Sequence, residues 1–151
     1  MLVGGWGDDT ITGRKGIDTL VAERDADITL SDTTLAIGGQ TDSFSEIEQA
    51  ELIGGTSANT IDASPFTLGP VTIFSGGGVD RLKGGSGDDR FLIDVSNLTT
   101  GQQVTVKLGG GSENEVLILG SGSSVTQDDL NWVCWDPAGA APPLRSTATT
   151  H

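Results

Sequence analysis

A nine-residue phrase recurs along the chain, and its repetition constrains the fold more than any other feature. It pairs a glycine-rich stretch ending in an acid with a short apolar stretch. The copies are GGWGDDTIT (4–12), GRKGIDTLV (13–21), SGGGVDRLK (75–83) and GGSGDDRFL (84–92), with weaker copies GGTSANTID (54–62) and GGGSENEVL (109–117) and a degenerate AERDADITL (22–30). A phrase that returns at a fixed period indicates one small structural unit stacked many times.

The phrase divides into a turn and a minimal strand. Glycines allow tight turns with positive φ, and three alternating residues after the acid form a short strand. The middle strand residue is apolar in all copies except the degenerate one: Ile11, Leu20, Ile61, Leu82, Phe91 and Val116. One inward side chain per unit fills only a narrow core, consistent with 35% hydrophobic residues and 23 glycines. We therefore predict an all-β fold, a right-handed parallel β-roll or β-helix (solenoid) with short strands and glycine-rich turns.

The acids of this fold require a positive partner. Eight Lys and Arg face 21 Asp and Glu, a formal net charge of −13, which repels nucleic acids and anionic membranes. Two units complete one coil, so each turn acid lies beside the acid two units away and the two carboxylates repel. Calcium accepts carboxylate and carbonyl oxygens in flexible geometry, whereas magnesium is stricter and zinc prefers His or Cys. The sequence therefore predicts Ca²⁺ between stacked turns.

GGWGDDTIT and GGSGDDRFL match the nonapeptide GGxGxDxUx, in which U is apolar, and so resemble the repeats-in-toxin (hemolysin-type) calcium-binding family. The resemblance is clear over 4–21 and 54–92. It implies a parallel β-roll in a large secreted bacterial surface protein, with Ca²⁺ bridging turns of neighbouring coils. The stretch FSEIEQAELIGG resembles linking coils of such proteins.

Motif positions carried over from the family give the candidate metal ligands. They are Gly5, Gly7, Asp9, Gly16, Asp18, Asp27, Gly55, Asn59, Gly76, Gly78, Asp80, Gly85, Gly87 and Asp89. Because an ion needs two stacked turns, we expect few ions rather than one per motif.

The pairing of these turns is predicted by counting half-coils. Treating 63–74 as one half-coil pairs Asn59 with Asp80, the best-supported pair, and places Asp89 between 63–71 and 93–108. Asp9 and Asp27 could share an ion, but turn 22–27 has lost its glycines and contains Arg24. Asp18 would need the turn near 31–36, which lacks a matching acid. Asp8 and Asp88, at the variable fifth position, are expected to be exposed.

The predicted organisation is one solenoid over 1–126, calcium-roll-like at 4–30 and 54–92 and plainer at 31–53 and 93–126. Residues 127–151 form a capping segment, using Trp132, Val133 and Trp135, and a disordered Ala/Pro/Thr-rich tail. The chain begins in mid-pattern without a signal peptide, so we expect a segment of a longer parent whose neighbouring coils it contacts. No apolar stretch is long enough to span a bilayer.

Three functional classes are open at this point. An enzyme is not expected, because no nucleophile, base or substrate site is assembled, and Cys134 is expected to be a packed small hydrophobe. The favoured reading is a calcium-binding structural segment at the bacterial surface or outside the cell. The alternatives are an accessory domain of a secreted hydrolase or toxin, and an adhesive or ice-binding solenoid. The last lacks a regular threonine face, since the equivalents of Thr12 are Val21, Asp62, Lys83 and Leu92.

Overall fold

The computed structural model describes residues 1–99, 102–112, 115–119, 125–127 and 133–135, which form strands and turns and no helix. Sheet A contains β1 (Leu2–Val3), β3 (Thr19–Glu23), β7 (Gln49–Ile53), β9 (Val71–Phe74), β11 (Arg90–Asp94), β13 (Glu115–Leu119) and β15 (Val133–Trp135). Sheet B contains β2 (Thr10–Thr12), β4 (Ile28–Leu30), β5 (Thr34–Ile37), β6 (Gln40–Ser45), β8 (Thr60–Asp62), β10 (Arg81–Lys83), β12 (Val104–Lys107) and β14 (Val125–Gln127). The predicted all-β class is confirmed.

Outside one hairpin, the chain alternates between the two sheets and neighbouring strands within a sheet are parallel. Residue 82 of β10 lies beside residue 61 of β8, so units two apart stack as predicted. Turns leading from sheet A to sheet B line one edge of the molecule, here called the first edge. Turns leading from sheet B to sheet A line the second edge.

The inward side chains of both sheets share one core. Leu20, Ile61, Leu82, Phe91 and Val116 are buried there, as the repeat predicts, while Ile11 is only partly buried. Strands such as β3 alternate between buried and partly exposed residues, because successive side chains point to opposite faces. The alternation predicted at Val104, Val106 and Leu108 also buries all three side chains.

Residues 31–53 are not a plain coil, which corrects the sequence-based expectation. Strands β5 and β6 form an antiparallel hairpin inserted in sheet B between β4 and β2. Its two-residue loop is Gly38–Gly39, with φ of 55° and 87°. Positive φ at both loop residues matches the right-handed strand twist, and glycine adopts it without strain. The IGGQ signal for this hairpin was present in the sequence and was missed.

The sheets continue beyond residue 126. Strand β15 pairs with β13 in parallel, so 133–135 adds a seventh strand to sheet A where a cap was expected. The predicted tail after Pro137 lies outside the described residues. Among the residues described, no helix could cross a membrane.

Candidate metal centre

One contact between successive turns recurs along both edges. A residue at the start of a strand, or directly before it, donates its backbone N–H to a carboxylate of the neighbouring coil. The donor and acceptor pairs are Asp9 to Asp42 (2.9 Å), Asp18 to Glu48 (2.9 Å), Asn59 to Asp80 (2.8 Å) and Val71 to Asp89 (2.8 Å). Each pair fixes the acid against the neighbouring coil.

The Asn59–Asp80 contact joins turns 54–59 and 75–80 on the first edge, as predicted. Both residues are buried, with Asn59 5% and Asp80 0% exposed. The two backbones touch, because a Cβ built on Gly76 would lie 2.5 Å from the carbonyl oxygens of Gly54 and Gly55. Gly78 has φ +95°, and a Cβ there would collide with the Ser57 carbonyl oxygen. Glycines at 76 and 78 therefore bring carbonyl oxygens close to the Asp80 turn.

Asp80 is buried without a counter-charge. Its Oδ2 atom is buried and accepts no hydrogen bond. Burial raises the pKa of Asp80 to about 6, and the carboxylate of Asp25 raises that pKa further, while the Asn59 N–H opposes the shift. An ionised carboxylate in this place is costly unless a cation or a proton joins it.

Asp89 occupies the corresponding place on the second edge and is 1% exposed. It lies against residues 63–71 on one side, as predicted, through the Val71 N–H. Burial raises the pKa of Asp89 to about 6, against the hydrogen bonds from Val71 and Gly85. A Cβ on Gly87 would lie 2.5 Å from the Gly69 carbonyl oxygen, so Gly87 permits this close stacking.

The turn at 13–18 does have an acidic partner, and the prediction that it lacks one was wrong. The hairpin β5–β6 delays the return of the chain to sheet A, so turn 13–18 stacks on 45–48 rather than on 31–36. Asp18 donates its N–H to Glu48, and its buried Oδ2 atom accepts no hydrogen bond. A Cβ built on Gly13 would collide with the Glu46 carbonyl oxygen and lie 3.0 Å from Asp18 Oδ2.

Asp9 and Asp27 are not neighbours, because the hairpin lies between the strands that follow them. Asp9 instead meets Asp42, which is 7% exposed and belongs to β6. Within its own turn, Asp9 Oδ2 accepts the Gly5 N–H at 2.8 Å, and Asn59 Oδ1 accepts the Gly55 N–H at 2.9 Å in the same way.

Asp27 is one residue out of register with the nonapeptide acid. In the parallel pair β4–β8, Ile28 lies beside Ile61, so Ala26 corresponds to Asn59. Asp27 is exposed and its Oδ1 accepts the Thr60 N–H at 2.7 Å. A one-residue slip sends a side chain to the other face, so Asp27 does not occupy the position that the alignment gave it.

The remaining sequence-predicted residues are divided by their surroundings. Gly7 and Gly16 have φ of 108° and 123° and no atom near their built Cβ, so conformation alone requires glycine there. Asp8 and Asp88 are both exposed, as predicted, and each also accepts a backbone hydrogen bond. Asp8, which is exposed, accepts the Thr41 N–H at 2.9 Å, and Asp88 accepts the Ser112 N–H at 2.7 Å. Asn114 lies outside the described residues.

Asp42 and Glu48 were missed as candidate ligands because neither follows the GGxG glycines of the motif: Gly38 and Gly39 before Asp42 form the hairpin loop, and no glycine lies in the six residues before Glu48. Each is nevertheless followed by the second half of the motif: DSFS at 42–45 places buried Phe44 at the apolar position, and EQAE at 48–51 places buried Ala50 there. Searching for the acid-and-strand half alone would have found both.

Within the described part of the chain, no three His, Cys, Asp or Glu side chains converge as a metal site. At the Asn59–Asp80 pair, the available oxygens belong to these two side chains and to the backbone carbonyls of Gly54, Gly55 and Ser57. Calcium accepts carbonyl oxygens as readily as carboxylates, whereas zinc sites rely on His and Cys. The buried Oδ2 atoms of Asp18 and Asp80 therefore fit a hard cation held largely by the backbone.

The family comparison agrees with this donor set. A model of the RTX calcium-binding nonapeptide repeat, in four copies, matches residues 3–32 and 67–91. No curated protein and no solved structure matches the chain significantly. The match includes turn 75–80 but not its stacking partner 54–59. Residues 3–32 and 67–91 are thus repeats of the RTX calcium-binding family, and the cation of these repeats is Ca²⁺.

Proposed function

We propose that this chain is a structural segment of a right-handed, closed β-roll, in which Ca²⁺ between stacked turns drives folding. The observation that carries the proposal is Asp80. Its carboxylate is completely buried, and one of its oxygens accepts no hydrogen bond. A structural role without catalysis accounts for this acid, since the surrounding turns contribute backbone oxygens rather than reactive groups.

The best-supported calcium site lies between turns 54–59 and 75–80. Asp80 would supply the anionic ligand, and the carbonyls of Gly54, Gly55 and Ser57 face the same turn. Bound Ca²⁺ would supply positive charge that relieves the repulsion between Asp80 and Asp25. Asn59 is neutral and already hydrogen-bonded through its N–H and Oδ1, so it would be a weaker ligand than Asp80.

Two further stacked pairs are weaker candidates on the second edge, one at Asp89 and one at Asp18 with Glu48. The first edge also contains Asp9 with Asp42. Because every ion requires two turns in contact, the seven motif copies predict only a few ions. Because each ion would contact two turns, calcium would connect neighbouring coils.

We further propose that the segment works outside the cell or at the bacterial surface, as part of a longer secreted protein. RTX repeats occur in secreted bacterial proteins, and extracellular modules bind Ca²⁺ with dissociation constants of about 10⁻⁴–10⁻³ M. At such sites calcium would be scarce during synthesis and abundant after export. The calcium-dependent part of folding would then take place outside the cell, where these coils could stack on neighbouring coils of the parent chain.

Circular dichroism and thermal melting in millimolar Ca²⁺ and in chelator test the proposal. If Ca²⁺ binds only the folded state, a hundredfold excess of Ca²⁺ over Kd adds about 2.7 kcal/mol to the free energy of unfolding. We expect a higher melting temperature in Ca²⁺. Identical spectra and melting temperatures in both conditions would refute calcium-driven folding.

Calorimetry on Asp80→Asn and on the matched control Asp8→Asn locates the site. Asparagine can keep the hydrogen bond accepted from Asn59 or Thr41, so each change removes mainly a charge. Asp80→Asn should weaken calcium binding at least tenfold at one site, while Asp8→Asn should change it little. Equal losses would show that the ion does not depend on the buried acid.

A further inference from the structure

The turn at 22–27 differs in construction from every other turn of the first edge described above. Its sequence AERDAD contains no glycine. Its backbone contacts the next coil through the Arg24 N–H, which donates to the Ile53 carbonyl oxygen at 3.0 Å. It reaches turn 4–9 on one side and turn 54–59 on the other through charged side chains.

Arg24 makes the contact with turn 4–9. Its guanidinium donates to the Gly5 carbonyl oxygen at 3.3 Å and to Gln40 Oε1 at 2.7 Å. It also lies over the ring of Trp6, 4.2 Å from the centroid, although Trp6 is 85% exposed. Such a cation–π contact stabilises a guanidinium that is held in place.

The Gly5 carbonyl belongs to the second position of the nonapeptide. At that position in two other turns, the Gly55 carbonyl faces Gly76 and the Gly85 carbonyl accepts the Gly110 N–H at 2.8 Å. In turn 4–9 the corresponding oxygen meets a positive charge that is part of the chain. A guanidinium cannot lose its charge at physiological pH, so it serves as a permanent cation.

Asp25 makes the contact with turn 54–59. Its two oxygens accept hydrogen bonds from the Ser57 N–H (3.2 Å), the Ser57 hydroxyl (3.0 Å) and the Asn59 side-chain amide (3.2 Å). These three hydrogen bonds hold the exposed carboxylate of Asp25 against turn 54–59. The carboxylate of Asp25 is thus satisfied by neutral hydrogen-bond donors and does not require a metal ion.

We infer that turn 22–27 is a metal-independent clasp, which holds the coils around turns 4–9 and 54–59 together before calcium binds. Arg24 supplies the positive charge on one side, and Ser57 and Asn59 supply the hydrogen bonds on the other. The asparagine in place of the motif acid is part of the device, because an aspartate at 59 would face Asp25 and Asp80 together. The expectation that later coils need calcium rests on the proposed function, whereas the contacts of the clasp do not depend on it.

Hydrogen exchange on the full chain in chelator and in Ca²⁺ tests this inference. In chelator, the Ala22 and Leu52 amides, in strands flanking the clasp, should exchange at least tenfold more slowly than those of Leu82 and Phe91. Uniformly fast exchange in chelator would overturn the clasp. Protection of all four amides in chelator would instead leave the clasp standing and refute calcium-driven folding of the later coils.

Arg24→Gln, with exposed Arg81→Gln as the control, isolates the guanidinium. In a Trp132→Phe, Trp135→Phe background, Trp6 is the sole tryptophan reporter. In chelator, Arg24→Gln should shift Trp6 emission and raise exchange of the Asp9 amide at least fivefold, while Arg81→Gln should do neither. If Arg24→Gln leaves both readouts unchanged, Arg24 does not hold turn 4–9 and the inferred clasp is wrong on that side. If that variant does not fold, the wild-type exchange comparison still decides.

Discussion

The N-terminal region, residues 4–53, and the glycine-turn region, residues 54–94, solve the same problem in different ways. In the first, turns of the first edge meet through side chains: Arg24 reaches Gly5, and Asp42 of the hairpin receives the Asp9 N–H. On the second edge of that region, Gly13 still allows a close backbone contact with the Glu46 carbonyl. In the glycine-turn region, Gly76 and Gly78 let backbones touch, and Asp80 is buried with one oxygen unpartnered. The number of motif copies therefore does not give the number of ions.

This difference follows from what glycine permits. A turn without Cβ atoms allows coils to approach until carbonyl oxygens and a carboxylate share one small space. That arrangement concentrates negative potential and favours a cation. Turn 22–27 meets the neighbouring turns through side chains. Arg24 supplies a positive charge to turn 4–9, and turn 54–59 supplies hydrogen-bond donors to Asp25.

The largest expected effect comes from adding one methyl group to the glycine-turn region. Gly78→Ala places a Cβ at φ +95° and against the Ser57 carbonyl, whereas Gly7→Ala places one at φ +108° with open space around it. Both variants incur left-handed strain of about 1 kcal/mol, and only the first adds overpacking of about 1–3 kcal/mol. We expect denaturation in Ca²⁺ to show losses of about 3 and about 1 kcal/mol. Equal losses would mean that close stacking is unimportant.

Sequence reasoning predicted the glycine-turn region well. The apolar position of each unit, from Ile61 to Phe91, identified buried strand residues, and the half-coil at 63–74 gave the correct stacking of Asn59 on Asp80. Both results follow from period-two alternation and from the regular rise of stacked strands, which are local properties.

The N-terminal region was predicted less well because its structure depends on non-local choices. The hairpin inserts two strands between β2 and β4, so neighbours in the repeat are separated in the sheet. Turn 22–27 is displaced by one residue, and the alignment could not detect this because Asp27 looks like a motif acid. Asp42 and Glu48 become partners only after the hairpin is placed.

A smaller effect is expected from pH in the absence of calcium. Burial raises the folded-state pKa of Asp80 and Asp89 to about 6, above the unfolded value of 3.8. Protonation therefore favours the folded state, and this stabilisation is lost as pH rises through about 6. We expect chelated protein to be more stable at pH 5 than at pH 7 by about 1 kcal/mol for each carboxylate. Asp25 and Asp62 have lowered pKa values and titrate below this window.

Calcium should reverse the direction of this pH effect, because the ion binds the ionised carboxylates. Denaturation at pH 5 and pH 7, each in chelator and in Ca²⁺, measures both signs. The double variant Asp80→Asn, Asp89→Asn should flatten both profiles. A chelated wild-type protein that is less stable at pH 5 than at pH 7 would contradict the assignment of the raised pKa values to these two buried acids.

The smallest effect is expected at Asp62, an acid of the glycine-turn region whose charge is balanced by a lysine rather than by calcium. Asp62, on the outer face of β8, pairs with Lys83 at 2.6 Å; partial burial raises its pKa, but bonds from Lys83 and Ser64 lower it overall. Partly exposed ion pairs contribute about 0–1 kcal/mol, so Lys83→Met should cost no more than that and leave calcium affinity unchanged. Calorimetry and denaturation of Lys83→Met beside Asp80→Asn separate the two cases. A fall in calcium affinity on losing Lys83 would show that overall surface charge, rather than the buried acid between stacked glycine turns, controls the ion.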